Sequence, residues 1–202
     1  MNILIEVPGR AKRLKSATYE AHERLDQRIM VAQPFATRER YGRFLLVQHA
    51  FHRDIDALYA DSALDALLPD LAGRRRLPAV SQDLADLGIS ATPNGPPAFT
   101  PLATIDMPTA LGWLYVAEGS NLGADFLFKE AAKLGLSEIF GARHLAGAPE
   151  GRGLHWRTFT SALDALPLSV EEEQRVVAGA VAAFARIQHR VEILMPMTSA
   201  VV

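Results

Sequence analysis

Apolar residues return every three or four positions through most of the chain, and β-branched runs in strict alternation are lacking. That periodicity belongs to amphipathic helices rather than strands. The first helix is expected from about residue 9 to residue 30, with Leu14, Thr18, Ala21, His22, Leu25 and Ile29 along one face and Pro34 marking its end. Thr37 stands where an N-cap belongs, its hydroxyl able to accept from the free amides of a second helix that continues to about residue 59. These two helices should pack antiparallel. A shorter helix is expected near residues 79–86, whereas residues 88–108 hold two glycines and five prolines and form an irregular connection. Pro108 suits a first helical turn, the apolar segment after it runs to about residue 134, and Gly135 occupies the usual stop position. Helices over residues 137–145, 154–163 and 169–195 complete the set. The last opens on a capping box, Ser169 with Glu172, and buries Val177, Val181, Phe184, Ile187, Val191 and Met195. The pattern predicts an all-α, single-domain helical bundle over residues 1–202, with 1–9 and 197–202 as flexible tails.

With 49% apolar residues the chain can bury a substantial core without covalent staples. It contains no cysteine, which excludes disulfides, thiolate metal sites, a thiol nucleophile and thioether-linked prosthetic groups. Basic and acidic residues number 21 and 23, and the one dense basic run, Arg74-Arg75-Arg76, reads as a short solvated loop, so nucleic acid is not an expected partner. Apolar stretches are too short to span a bilayer, and the first residues are broken by Glu6 and Pro8, which points to a cytoplasmic protein with no membrane partner. Phosphate-loop, dinucleotide-binding and nucleophile-elbow patterns are absent.

Two groups of residues could carry chemistry. His22 falls on the apolar face of the first helix, where its imidazole needs a partner; a bound iron, or a core carbonyl or carboxylate, would each serve. Lys15 precedes it by seven residues on nearly the same face, so its stem can cross apolar surface while the ammonium meets an anion at the rim. The second group is Tyr115, Gly119, Ser120 and Gly123. Each glycine inside a helix costs roughly 1 kcal/mol relative to alanine, so two of them one turn apart suggest close approach, either by a flat ligand or by a neighbouring helix. Tyr115 lies one turn before Gly119 on the same side. His49, His52 and Asp56 could share a helix face, but they lack the spacing of metal motifs and read as surface; His144, His155 and His189 have still less context.

Taken together, Ala21-His22-Glu23-Arg24-Leu25, the segment Leu111-Gly112-Trp113-Leu114-Tyr115-Val116-Ala117-Glu118-Gly119-Ser120-Asn121-Leu122-Gly123-Ala124 and Gly141-Ala142-Arg143-His144-Leu145 resemble bacterial haem (heme) oxygenases, in the same order along the chain. The likeness runs from about Leu14 to Arg190 and is strongest to the branch found in Pseudomonas and Neisseria iron acquisition and in bacterial phytochrome operons. The resemblance implies that haem b, both cofactor and substrate, lies between the first helix and a glycine-bent distal helix, with His22 as proximal iron ligand. It implies O2 activation on the side of Gly119, Ser120 and Gly123, electrons from a reductase or ferredoxin, and opening of the ring to biliverdin, CO and iron. Water rather than an acid side chain would deliver protons. Arg186 would be a further propionate or pocket contact. Lys15 and Tyr115 depart from the Pseudomonas enzymes that cut at the δ or β carbon and resemble those of α specificity, which makes biliverdin IXα the expected product. A bacteriophytochrome could receive it, and the chain is expected to be a monomer. The main rival is a helical haem-binding or haem-transfer protein without turnover; a thiaminase-like hydrolase would need the missing cysteine.

Overall fold

The computed structural model describes residues 8–92, 95–101 and 103–196. The expected tails, residues 1–9 and 197–202, fall outside them except for Pro8 and Gly9. Seven α-helices are present among the described residues: α1 (Arg10–Val31), α2 (Arg38–Ile55), the single turn α3 (Ser62–Asp65), α4 (Leu77–Asp86), α5 (Met107–Ala132), α6 (Arg152–Ala165) and α7 (Val170–Leu194). They enclose one connected apolar core. The caps follow the sequence: Thr37 accepts from the Arg40 amide at 3.2 Å, and Ser169 and Glu172 form the reciprocal capping box of α7.

Helix α7 is the axis of the bundle. Arg10 and Arg13 at the start of α1 pair with Glu173 at 2.7 and 2.8 Å, and Arg28 near its end donates to the Met195 carbonyl at 2.6 Å, so α1 and α7 run parallel. Asp106, the N-cap of α5, pairs with Arg175 at 3.3 Å, while a β-carbon on Gly112 would stand 2.1 Å from the Val176 carbonyl and one on Gly179 would stand 2.3 Å from that of Thr109. Helix α5 is thus also parallel to α7, and the two backbones touch at glycines. Helix α6 runs the opposite way: Asp164 near its end accepts from the Ala11 amide at 2.7 Å, and Arg152 at its start donates to the Asn121 carbonyl at 2.9 Å.

Three expectations change. Helices α1 and α2 are not a close antiparallel pair; both pack on α7 instead. Residues 137–145 are a turn rather than a helix, with only a 3-10 turn at Arg143–Leu145. Gly135 and Gly141 take left-handed φ of 73°, and carboxylates of α4 supply the acceptors that a helix would have supplied, Asp86 to the Gly141 amide and Asp83 to the amides of Arg143 and His144. Val181, assigned to the buried stripe of α7, is 44% exposed, while the small residues Gly179, Ala180 and Ala183 face α5 or the core.

Candidate functional site

On α1 the buried stripe is Leu14, Thr18 and Leu25, and His22 stands on its flank with 54% of its side chain exposed. This corrects the expectation of a histidine needing a buried partner. The ring is held edge-on against Phe184 of α7, centroids 5.9 Å apart at 78°. Its Nδ1 faces Asp26 at 3.5 Å and Glu23 at 3.8 Å, which leaves Nε2 turned outward. Lys15 and Tyr19 continue the same exposed face, and Lys15 makes no ion pair among the described residues.

The helical hydrogen bonding of α5 passes unbroken through both glycines. Gly119, Leu122, Gly123 and Phe126 follow one another at helical spacing, and Leu122 and Phe126 are 43% and 54% exposed. Added β-carbons here would meet no backbone: at Gly119 the nearest atom is Trp156 Cη2 at 3.6 Å, an ordinary contact, and at Gly123 nothing lies within 4 Å. The neighbouring-helix explanation of the two glycines therefore fails; that role belongs to Gly112 and Gly179. With α6 as a ruler, the same eight-residue interval separates Trp156 from Asp164 and Ala11 from Tyr19. Since Asp164 holds Ala11 and Trp156 lies under Gly119, Tyr19 and His22 stand at about the height of Gly119 and Gly123. Two parallel helices that are not a close pair thus present, at one level, an imidazole and a smooth apolar strip. A flat apolar group bearing an iron fits that arrangement.

The remaining expected residues divide. Tyr115 is buried, its ring 5.5 Å from that of Trp156, and burial, aided by the Asp164 charge, pushes its hydroxyl up to about 12, so it remains a protonated donor. The Ser120 hydroxyl donates to the Ala117 carbonyl at 2.7 Å. Arg186 is drawn elsewhere: it clasps the buried Asp54 of α2 with two bonds of 2.7 and 2.9 Å and donates to the Pro96 carbonyl at 3.0 Å. Two residues beyond Phe184 it lies nearly opposite on α7, so the structure pairs it with α2 rather than with the face that carries Phe184.

Sequence reasoning missed a buried polar network beneath the glycine strip. Glu118, fully buried, accepts from the Tyr59 hydroxyl at 3.2 Å and from Arg74 at 3.0 Å, and lies 3.5 Å from His155 Nε2. Arg74 is itself buried and also donates to the Pro69 and His155 carbonyls; Arg76 donates to those of His144 and Ala146. Of the supposedly solvated arginine run, only Arg75 is exposed, paired with Asp56. His52, read as surface, is buried, and so is His144. His144 Nδ1 bonds Asp83 at 2.8 Å, and burial lowers the affinity of both histidines for a proton, taking His52 down to about 3. No cluster of three metal-ligating side chains occurs among the described residues. These partners are scattered from residue 52 to residue 155, so no local motif announces them; the one available signal was the presence of glutamate and arginine among otherwise apolar neighbours.

Comparison with known proteins identifies the family. The family model for heme oxygenase matches residues 9–192. Heme oxygenase PigA of Pseudomonas aeruginosa is 45% identical over 177 residues, 88% of each chain. The NO- and CO-bound heme oxygenase of Neisseria meningitidis superposes with a TM-score of 0.87 at 41% identity, covering 96% of both chains. The Leptospira interrogans heme oxygenase, at 19% identity and a TM-score of 0.68 over 91% of this chain and 98% of that one, shares the fold. With both the match of nearly the whole chain and the imidazole set level with an unfilled glycine strip, this chain belongs to the haem oxygenase family.

Proposed function

We propose that the chain opens haem to biliverdin in the space between α1 and α5, with O2 and external electrons. The observation that carries the reading is the half-exposed His22 at the height of Gly119 and Gly123, where an added β-carbon would meet no backbone and, at Gly123, nothing at all within 4 Å. Bound haem supplies the iron at which oxygen is reduced, and its own porphyrin ring is the carbon skeleton that is oxidised, releasing CO and iron.

The protein's part is to hold and to shield. His22 would ligate the iron through Nε2, with the carboxylates of Asp26 and Glu23 on the Nδ1 side at 3.5 and 3.8 Å. Phe184 buttresses the ring edge. Gly119 and Gly123 leave backbone where side chains would otherwise stand, and Leu122 and Phe126 offer apolar surface to the porphyrin. Ser120, its proton committed to Ala117, is available as an acceptor rather than as an acid. Lys15, exposed seven residues before His22, is placed to meet a propionate, and Tyr115 offers a protonated hydroxyl one turn before Gly119. These two residues favour cleavage to biliverdin IXα, which chromatography of the extracted product checks; a δ or β isomer as the main species would refute that assignment.

No described helix is long and apolar enough to cross a membrane. The electron donor is a reductase or ferredoxin, the working form a monomer in the cytoplasm, and a bacteriophytochrome one recipient of the product. Optical titration with hemin tests the site: a Soret band should form at one equivalent in the native protein and lose its histidine-ligated character in His22→Ala. An unchanged spectrum in the variant would remove His22 from the reading.

A further inference from the structure

The buried network meets the glycine strip through one residue. Along α6, Arg152 bonds the Asn121 carbonyl, Trp156 lies under Gly119 and against Tyr115, and between them His155 places its ring between two carboxylates. Nδ1 lies 2.7 Å from Glu150 Oε1 in the loop before α6, and Nε2 lies 3.5 Å from Glu118 Oε2 on α5. Glu118 directly precedes Gly119. A neutral imidazole carries one N–H and can serve only one of two carboxylates, whereas an imidazolium serves both.

We propose that His155, as an imidazolium bridging Glu150 and Glu118, is a positioning residue that fixes the Gly119–Gly123 strip of α5 upon α6. The inference rests on the haem-site reading above, since the strip matters only as the surface a haem meets. The charges facing the ring are Glu118 from α5, Glu150 from its own approach loop and Arg74 from the Ala72–Arg74 turn, with Tyr59 and Arg76 reaching Glu118 from behind. The carboxylates outweigh Arg74 and hold the imidazole above its ordinary range, Glu118 contributing most. The sign follows: the bridge is complete when His155 is protonated and is lost as pH rises through its raised pKa. Loss of the proton leaves His155 able to serve only one of the two carboxylates, Glu118 keeping Arg74 and Tyr59, and loosens the first turn of α6 against α5.

The test uses the native chain without haem, followed by NMR. His155 Cε1–H should titrate with a midpoint above that of an ordinary histidine, and the amide signals of Gly119 and Asn121 should move with the same midpoint. Glu150 is 42% exposed in its side chain, so Glu150→Gln should fold normally, lower the His155 midpoint and shift the Gly119 and Asn121 titrations by the same amount. In the haem-loaded enzyme, the alkaline fall in ring-opening rate should move to lower pH in Glu150→Gln and lose this titration in His155→Gln. If the two amides fail to follow His155, or if Glu150→Gln leaves its midpoint in place, the coupling is wrong even if haem turnover is normal. If the amides follow His155 but haem is neither bound nor opened, the coupling stands and the haem-site reading fails.

Discussion

A glycine in a helix can be explained only by what its absent β-carbon would have met. Gly112 and Gly119 look alike in sequence, yet at Gly112 a β-carbon would collide with the backbone of α7, and at Gly123, one turn after Gly119, it would meet open space. Substitution separates the two roles. Gly112→Ala should destabilise the apoprotein by about 1–3 kcal/mol or more, because the obstacle is backbone and α5 must shift. Gly123→Ala should leave it unchanged or more stable by up to about 1 kcal/mol, since alanine is the better helix former. Urea unfolding measures both, and an equal loss in the two variants would contradict the distinction. Gly123→Leu should also weaken hemin binding by about tenfold, roughly 1.4 kcal/mol, with urea stability retained. The sequence made the glycine pair visible but could not say whether protein or ligand filled the space. Histidines were misjudged in both directions for the same reason: His22 is exposed where periodicity put it on the apolar face, and His52 is buried where polarity put it on the surface; His144 and His155, which the sequence left without context, are buried too.

At the scale of elements, the long helices were located because α1, α2 and α7 carry apolar stripes, α5 is a long apolar run buried all round in its first half, and caps or breakers mark their ends. The 137–145 segment has a helical composition and is not a helix, because its backbone is tied to Asp83 and Asp86 of α4, partners that lie more than fifty residues away. The same long reach made the arginine run look solvated. Arg74 belongs to the core through Glu118, an ion pair with side-chain exposures of 2% and 0%. Glu118→Ala would leave the guanidinium buried without its carboxylate, and the expected loss is about 3–5 kcal/mol. Arg75→Ala, one position on, removes an exposed pair with Asp56 and should cost no more than about 1 kcal/mol. Thermal or urea unfolding of the two variants checks the contrast, and comparable losses would contradict the buried assignment.

For the whole molecule, the buried histidines contribute to the acid limb of stability beside paired carboxylates such as Glu173. Burial depresses the proton affinity of His52 to about 3 and lowers that of His144 as well, although Asp83 opposes the latter shift. In the unfolded chain both would protonate near 6.5, so the unfolded state takes up more protons in the interval below that pH. Stability contributed by neutral His52 is complete above 6.5 and is lost as pH falls toward 3, at up to about 1.4 kcal/mol per pH unit for one group. A His52→Phe variant that folds should show a shallower acid limb; an unchanged slope from pH 6.5 downward would remove His52 from that role. The parallel course of α1 and α5 along α7, on which the site depends, is marked at the helix ends by ion pairs, Arg10 and Arg13 with Glu173 and Asp106 with Arg175, that hydrophobic pattern does not encode. The family likeness named the expected site residues; the structure sets His22 about level with Gly119 and Gly123 and pairs Arg186 with Asp54. The most direct measurement of the central claim is aerobic turnover of hemin bound at one equivalent, with a reductase or ascorbate as electron source, followed by extraction of the product. Biliverdin should replace the Soret band and CO be released in the native protein, with His22→Ala failing to convert its haem. Haem that binds and survives reductant and oxygen intact in the native protein would contradict the account and leave a haem carrier in its place.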